Sequence, residues 1–262
     1  MQKYGQHFLV NKGVIDKIID AVVHNARGSL VEIGPGKGAL TAAMLERGLN
    51  DLTLVEIDPK MVAHLKQNLP PYARYNLIES DFLKLDINCL PPGDKTFISN
   101  LPYIDAAEIL LKVLSIPGFS GAVFMFQREQ AQRLIAKPES KHYGALSAIF
   151  QAFASARSIC RVSPGSFSPP PKVDSEVLLI TPIAQKFFIN DKHKENFKTV
   201  VKTAFAYRRK TVLNAVAEVH GKNKAGIAKL LNTSGIKISA RAEELSPAKY
   251  AELAKNAEGF LF

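Results

Sequence analysis

The tetrapeptide Asn100-Leu101-Pro102-Tyr103 closes an apolar run that begins at Phe97. A carboxamide, a proline and a phenol in that order are out of place inside a buried strand. They suit a strand end that presents polar groups to a cleft, because proline cannot continue a sheet ladder. The chemistry within reach is activation of a weak nucleophile. The exocyclic amine of an adenine has its lone pair delocalised into the ring. The Asn100 amide oxygen and the Leu101 carbonyl can accept its two hydrogens, which favours a pyramidal nitrogen with the lone pair turned toward an electrophile. Pro102 ends the ladder and throws Tyr103 over the cleft, where its ring can stack on the base. The same four residues also fit an ordinary turn with a satisfied asparagine and a core tyrosine.

Neighbouring stretches weigh between these readings. "VEIGPGKGALT" follows a strand-sized run and carries glycines at 34, 36 and 38. Glycine permits a tight turn and close approach of backbone amides, and the following helix start favours a negative group, so a nucleotide-like ligand is expected. The spacing is G-x-G-x-G. It matches neither the dinucleotide fingerprint nor the phosphate loop. Glu56 ends "LTLVEID", where an acid in an open α/β sheet accepts ribose hydroxyls. Asp81 in "ESD" ends the next run, close to where a bound adenine would present its amine. Each acid alone reads equally well as a cap or a surface charge. Successive strand ends with suitable polar groups make one ligand along one sheet edge the better account. Asp58 is expected to cap the helix opening at Pro59, and Asp105 with Glu108 reads as a capping box.

The elements that must position these residues can be read from periodicity. Apolar runs at Leu30–Ile33, Leu52–Ile57, Asn76–Glu79, Thr96–Ser99 and Ala122–Phe126 alternate with helical spacing such as Val14, Ile15, Ile18 and Ile19. That alternation predicts βαβ units and an α/β fold with a parallel sheet covered on both faces. A helix is expected in "QREQAQRLIA". Two β-rich runs are expected at Ala145–Phe153 and Ser175–Thr181, separated by the proline-rich "SPGSFSPPPK". Beyond Pro182 the pattern is helical, with Phe197, Val200, Val201 and Ala204 on one stripe.

A chain of 262 residues with 47% hydrophobic and 22% charged residues has globular composition. It has no run of roughly 18 apolar residues for a membrane span. "MQKYGQHFLV" lacks a secretory layout, and Cys89 and Cys160 are the two cysteines, so a reducing cytoplasm is expected, with no membrane partner and no metal site. Charge is unevenly spread: residues 1–184 hold 19 Lys+Arg against 17 Asp+Glu, and residues 185–262 hold 15 against 7. A basic helical domain at 185–262 appended to a nearly neutral one at 1–184 points to a polyanion, most often nucleic acid.

The chain resembles the small-subunit ribosomal RNA adenine N6,N6-dimethyltransferases, the KsgA-type family, over nearly its whole length. The resemblance rests on "GQHFL", "VEIGPGKGALT", "EID", "SDF", "NLPY", "YGALS", "FSPPPKVDS", "AFAYRRKT" and "ISARAEELS" in that order. It implies a Rossmann-like S-adenosylmethionine-dependent methyltransferase sheet followed by a small all-helical C-terminal domain. The cofactor would be lined by His7, Leu9, Gly34, Glu56, Asp81 and Asn100. Phe167 would face Tyr103, so that a flipped adenine lies between two rings. The implied substrate is a pair of adjacent adenosines in the 3′-terminal hairpin of 16S ribosomal RNA, in the 30S subunit or its precursor, with the enzyme a monomer. Read from the residues themselves, Arg208, Arg209 and Lys210 form a basic run expected to begin a helical segment; each alone fits a clamp for RNA phosphates or a surface charge cluster, and the basic domain around them favours RNA. His7 stands where the family often has Asn, and Tyr207 where Gln is common. The rival readings are the related large-subunit enzymes, a DNA adenine methyltransferase, and an RNA-binding assembly factor with methylation secondary.

Overall fold

The computed structural model describes residues 7–184, 187–207 and 209–261. In chain order the elements are β1 (Phe8–Leu9), α1 (Lys12–Asn25), β2 (Ser29–Ile33), α2 (Ala39–Glu46), β3 (Leu52–Glu56), α3 (Pro59–Asn68), β4 (Tyr75–Glu79), β5 (Lys95–Asn100), α4 (Ala106–Ser115), β6 (Phe119–Gln127), α5 (Arg128–Leu134), α6 (Ala145–Gln151), β7 (Ala154–Val162), β8 (Phe167–Ser168), β9 (Ser175–Pro182), α7 (Asp191–Ala206), α8 (Val212–His220), α9 (Lys224–Thr233) and α10 (Pro247–Asn256). They divide into two compact units, one of residues 1–131 with 156–182 and one of residues 132–155 with 183–262.

The first unit holds a seven-stranded sheet in the order β4-β3-β2-β5-β6-β9-β7. The ladders from β4 to β6 are parallel, and β9 runs antiparallel to β6. Central strands read as continuous apolar runs because helices cover both faces, and β3 is buried at every position. Val22 of α1, Met44 of α2, Leu54, Ile98, Val123 and Leu179 share one core. From β2 the chain builds outward to β3 and β4 on one side and later to β5 and β6 on the other. That reversal between β2 and β5 is the switch point at which open α/β sheets bind ligands, beyond the strands' carboxyl ends.

The loops that feed this edge are set by local chemistry. Asp58 accepts the Lys60 N–H at 3.0 Å and Pro59 opens α3, as its position before a proline predicts. Asp105 sits at the start of α4 without a side-chain cap bond, so the predicted capping box with Glu108 is not formed.

The run Ala145–Phe153, expected to be β-rich, is the helix α6. Its apolar residues are short and continuous, a pattern that strand and helix share. Buried Ser147 decides for the helix, its Oγ donating to the Arg133 carbonyl at 2.6 Å and accepting the Gly144 N–H at 3.0 Å. The strand lies just after it, in β7, where half-exposed positions leave no apolar run to recognise.

A single cut after residue 184 would leave 132–155 with the sheet. The structure groups that segment with the helices because it is bonded there. Fully buried Tyr143 donates its hydroxyl to the Leu245 carbonyl at 2.9 Å, and the Glu139 N–H donates to the Glu243 carbonyl at 2.8 Å. Within the same unit Asn190 caps α7, and the His193 ring joins α7 to α10 through Nε2 and the Ala251 carbonyl at 2.7 Å.

Candidate active site

The glycine loop joins β2 to α2, and its geometry is more specific than its composition. Gly34 and Gly38 have φ of 65° and 81°, in the left-handed region that side chains avoid. A Cβ on Gly38 would lie 2.9 Å from Leu65 Cδ2, so this glycine lets α2 start close against α3. A Cβ on Gly34 would meet nothing within 4 Å, because the space beside it is a cavity.

All three loop glycines spend their amides inside the protein. Gly34 N–H donates to the Val55 carbonyl at 2.9 Å, Gly38 N–H to the Pro35 carbonyl at 2.8 Å, and Gly36 N–H to Glu56 Oε2 at 2.9 Å. These three amides are therefore closed to a phosphate. Sequence alone predicts a negative group at the following helix start; beside the glycines the cavity presents the carboxylates of Glu32 and Glu56.

Glu56 is buried at the end of β3, with Oε1 accepting the Asp58 N–H at 2.9 Å. Burial pushes its pKa up, and the backbone N–H groups of Asp58, Gly36 and Ile57 pull it back down. With three N–H groups on its four lone-pair sites, the carboxylate keeps one for a hydroxyl donor.

The cavity is lined by His7, Leu9, Gly34, Glu56, Asn100 and Tyr103, with Leu101 and Pro102 completing the tetrapeptide. It thus gathers every predicted cofactor residue except Asp81. Asn100 ends β5 and donates its Nδ2 to the His7 carbonyl at 2.9 Å. A carbonyl can only accept, so this bond fixes the amide's orientation and leaves Oδ1 as the acceptor available to the cavity. The Leu101 N–H is held by the Met125 carbonyl at 3.3 Å, which anchors the tetrapeptide to β6 as it leaves the ladder. The Tyr103 ring is partly buried, 5.9 Å from the His7 ring and tilted 31° to it, and its hydroxyl lies 2.6 Å from Ser175 Oγ. Burial raises its pKa, opposed by the Ser175 bond.

Two predicted residues stand elsewhere. Asp81 is outside the cavity lining: its Oδ1 accepts the Leu83 N–H at 2.9 Å, and Lys84 Nζ lies 3.8 Å from Oδ2. Phe167 is 4% exposed and packs in the core, its Cα paired with that of Leu9 in the β1–β8 ladder. The ladder turns Phe167 inward, and the ring beside Tyr103 is that of His7.

Glu32 lines the cavity too, and sequence reasoning passes over it. The signal is present: an acid inside "SLVEI", a strand with no exposed position. Glu32 Oε2 accepts the Thr41 hydroxyl at 2.6 Å, and burial lifts its pKa to about 7 against that bond, with Glu56 adding repulsion. A raised folded-state pKa means that the native state holds this proton more tightly than the unfolded chain. The resulting stability is full below pH 4.5 and is lost as pH rises through about 7. Glu32→Gln should remove this loss. In urea unfolding, the variant's stability relative to the parent should rise between pH 5 and pH 8, by up to about 3 kcal/mol. A pH-independent difference would show that Glu32 is ionised throughout.

The basic run lies between α7 and α8 in the second unit. Arg208 lies outside the described residues. Arg209 is exposed, and Lys210 pairs with Glu218 at 2.8 Å while its Nζ sits 4.6 Å from the centre of the Tyr207 ring. Neither residue begins a helix as expected, since α8 opens after them with Thr211 as its cap.

A parallel α/β sheet with its switch point at a G-x-G-x-G loop, two buried acids and an Asn-Leu-Pro-Tyr strand end define a Rossmann-like methyltransferase. Residues 1–258 match the family described as ribosomal RNA adenine dimethylase, and the chain belongs to it. A Parabacteroides distasonis protein named ribosomal RNA small subunit methyltransferase A is 41% identical over 253 residues, covering 95% of this chain and 90% of the relative. The Xylella fastidiosa protein of the same name is 35% identical over 255 residues, covering 96% and 93%. Among solved structures, a dimethyladenosine transferase from Plasmodium falciparum superposes with a TM-score of 0.79 at 26% identity, covering 96% of this chain and 98% of that one. The 23S rRNA methyltransferase ErmE superposes at 0.69 with 21% identity over 96% and 99%, a likeness of fold.

Proposed function

We propose that this chain transfers methyl groups from S-adenosylmethionine to N6 of two adjacent adenosines in the 3′-terminal hairpin of 16S ribosomal RNA. It would act on the small subunit or its precursor, in the cytoplasm and as a monomer. The observation that carries the reading is the orientation of Asn100, whose Nδ2 is committed to the His7 carbonyl so that Oδ1 is left to accept an N6 hydrogen.

The cavity fits the cofactor chemically. Its glycine amides are closed to phosphate, and the two acids Glu32 and Glu56 share its lining with the polar side chains of His7, Lys37, Asn100 and Tyr103 and with apolar groups. Such a site suits a cationic nucleoside that carries ribose hydroxyls and no phosphate. Glu56 would hold the ribose, and Asp81 the exocyclic amine through Oδ2, since Oδ1 is taken by Leu83. When bound, the cofactor supplies an electrophilic methyl group.

The chain's own residues prepare the nucleophile. Asn100 Oδ1 and the Leu101 carbonyl accept the N6 hydrogens, Pro102 turns the chain, and the Tyr103 ring supports the flipped base. Phe167 would contribute to that support only by leaving the core. The methylated nitrogen is acidic and loses its proton to water or a nearby carbonyl, so positioning does most of the work. Tritiated cofactor with 30S subunits lacking the modification should label adjacent adenosines near the 3′ end, read by mass spectrometry of the RNA. Label confined to large-subunit RNA would favour the rival reading.

The basic helical region would bind RNA phosphates, with Arg208, Arg209 and Lys210 among the residues that reach them. Its affinity should therefore fall steeply with salt. Replacing Arg209 and Lys210 with alanine should flatten a plot of log affinity against log salt by about one for each phosphate no longer neutralised. An unchanged slope would place the RNA surface elsewhere.

A further inference from the structure

The proline-rich stretch Phe167–Ser175 touches the candidate site at two points that play no part in the chemistry proposed so far. The His7 ring lies with Nδ1 2.9 Å from the Pro169 carbonyl, and Ser175 Oγ lies 2.6 Å from the Tyr103 hydroxyl. The carbonyl can only accept, so Nδ1 carries a hydrogen. Ser175 is fully buried and opens β9, its Cα opposite Gln127 of β6, while Asn100 of β5 lies opposite Met125 of the same β6. The frame β5–β6–β9 thus returns to Tyr103 through one hydroxyl pair. A polar side chain with no exposure at the start of an apolar strand is costly unless bonded, and its partner is the ring that would carry the base.

We propose that Ser175 is a positioning residue for methyl transfer: it anchors the Tyr103 hydroxyl and so fixes where the ring that carries the target adenine lies over the cleft. This role deepens the proposed function and rests on Tyr103 being the base platform. The phenol oxygen lies on the long axis of the ring, so anchoring it resists swinging of the whole ring about the Cα–Cβ bond. The base it carries then keeps its amine in register with Asn100 Oδ1 and the Leu101 carbonyl. Freed of the anchor, the ring still offers a stacking face, so binding survives while the reacting geometry loosens. The expected cost therefore falls on kcat and not on KM.

The test is a double-mutant cycle on Tyr103→Phe and Ser175→Ala, with methyl transfer to unmodified 30S subunits, cofactor affinity by calorimetry and urea unfolding measured for each. Either single change removes the same hydrogen bond. Each should lower kcat about tenfold, which is about 1.4 kcal/mol of barrier. KM for 30S and cofactor affinity should stay within about twofold, and the double variant should lose nothing more. Losses that multiply in the double variant overturn the proposal, because the residues then act separately. Wild-type kcat in Ser175→Ala overturns it as well. Should Ser175→Ala fail to fold, Tyr103→Phe decides alone, since it breaks the bond without touching the buried strand; an unchanged kcat there overturns the anchor. Tyr103→Ala separates the two levels. If it methylates normally, the platform reading itself is wrong; if it is inactive while Ser175→Ala is normal, only the anchor fails.

Discussion

Asn100→Ala is expected to reduce methyl transfer by about 10²–10³-fold while leaving RNA affinity within about threefold. The substitution removes Oδ1, the acceptor proposed for an N6 hydrogen, and with it half of the polarisation that localises the nitrogen lone pair. It also removes the Nδ2 bond to the His7 carbonyl, so the segment holding His7 and Leu9 loses a tie to β5. The second loss is structural and the first chemical, and Asn100→Asp separates them. Aspartate keeps an acceptor for the amine but places a carboxylate oxygen against the His7 carbonyl, where neither atom can donate. Its activity should lie near that of alanine if the orientation matters. RNA affinity is read by filter binding to 30S subunits and transfer by tritium incorporation. Equal loss of both quantities would show Asn100 to be a folding determinant, and undiminished transfer would remove it from the mechanism. In cells, the same variant tests occupancy against catalysis: a growth defect equal to deletion would assign the physiological role to methylation and not to assembly.

What the sequence makes legible follows from strong local patterns. The parallel strands β2, β3, β5 and β6 each have a run of apolar residues long enough for a strand, because burial on both faces leaves little polar alternation to confuse the reading, whereas the edge strand β4 is only partly buried. The strand ends carry their polar residues in plain view, and Glu56, Gly34 and Asn100 line one cavity. Local pattern fails where a long-range interaction overrides it. The helix α6 reads as β from its short apolar run, while its buried Ser147 is satisfied by the Arg133 carbonyl, 14 residues away in the chain. Phe167 is expected at the site, yet its neighbour across a two-residue ladder is Leu9, a pairing between segments over 150 residues apart that local spacing cannot encode. The glycine loop is legible as a loop but not as a closed one. Only the folded chain brings Glu56 and the Val55 and Pro35 carbonyls onto its amides.

That closure underlies the other large expected effect. Glu56→Gln should weaken cofactor binding by about 10–100-fold, through two losses that add. The carboxylate accepts Gly36 N–H with one oxygen and Asp58 N–H with the other, both at 2.9 Å. A carboxamide has a single acceptor, so its NH₂ must oppose one of these N–H groups. A buried donor left unpaired costs about 1–3 kcal/mol, and the loop that borders the cavity relaxes to satisfy it. The acceptor capacity left for a ribose hydroxyl falls as well. Calorimetric titration with the cofactor measures the sum, and RNA binding to the basic region should not change. The titration of Glu56 gives an independent check. Its pKa is raised by burial, so protonation begins nearer neutrality than for an ordinary glutamate and removes acceptors in the same way that the carboxamide does. Cofactor affinity in the parent should fall as pH is lowered through that raised pKa, and the Gln variant should lack this component. A variant that binds the cofactor as tightly as the parent at neutral pH would exclude Glu56 as a ligand and leave it only the task of holding the loop.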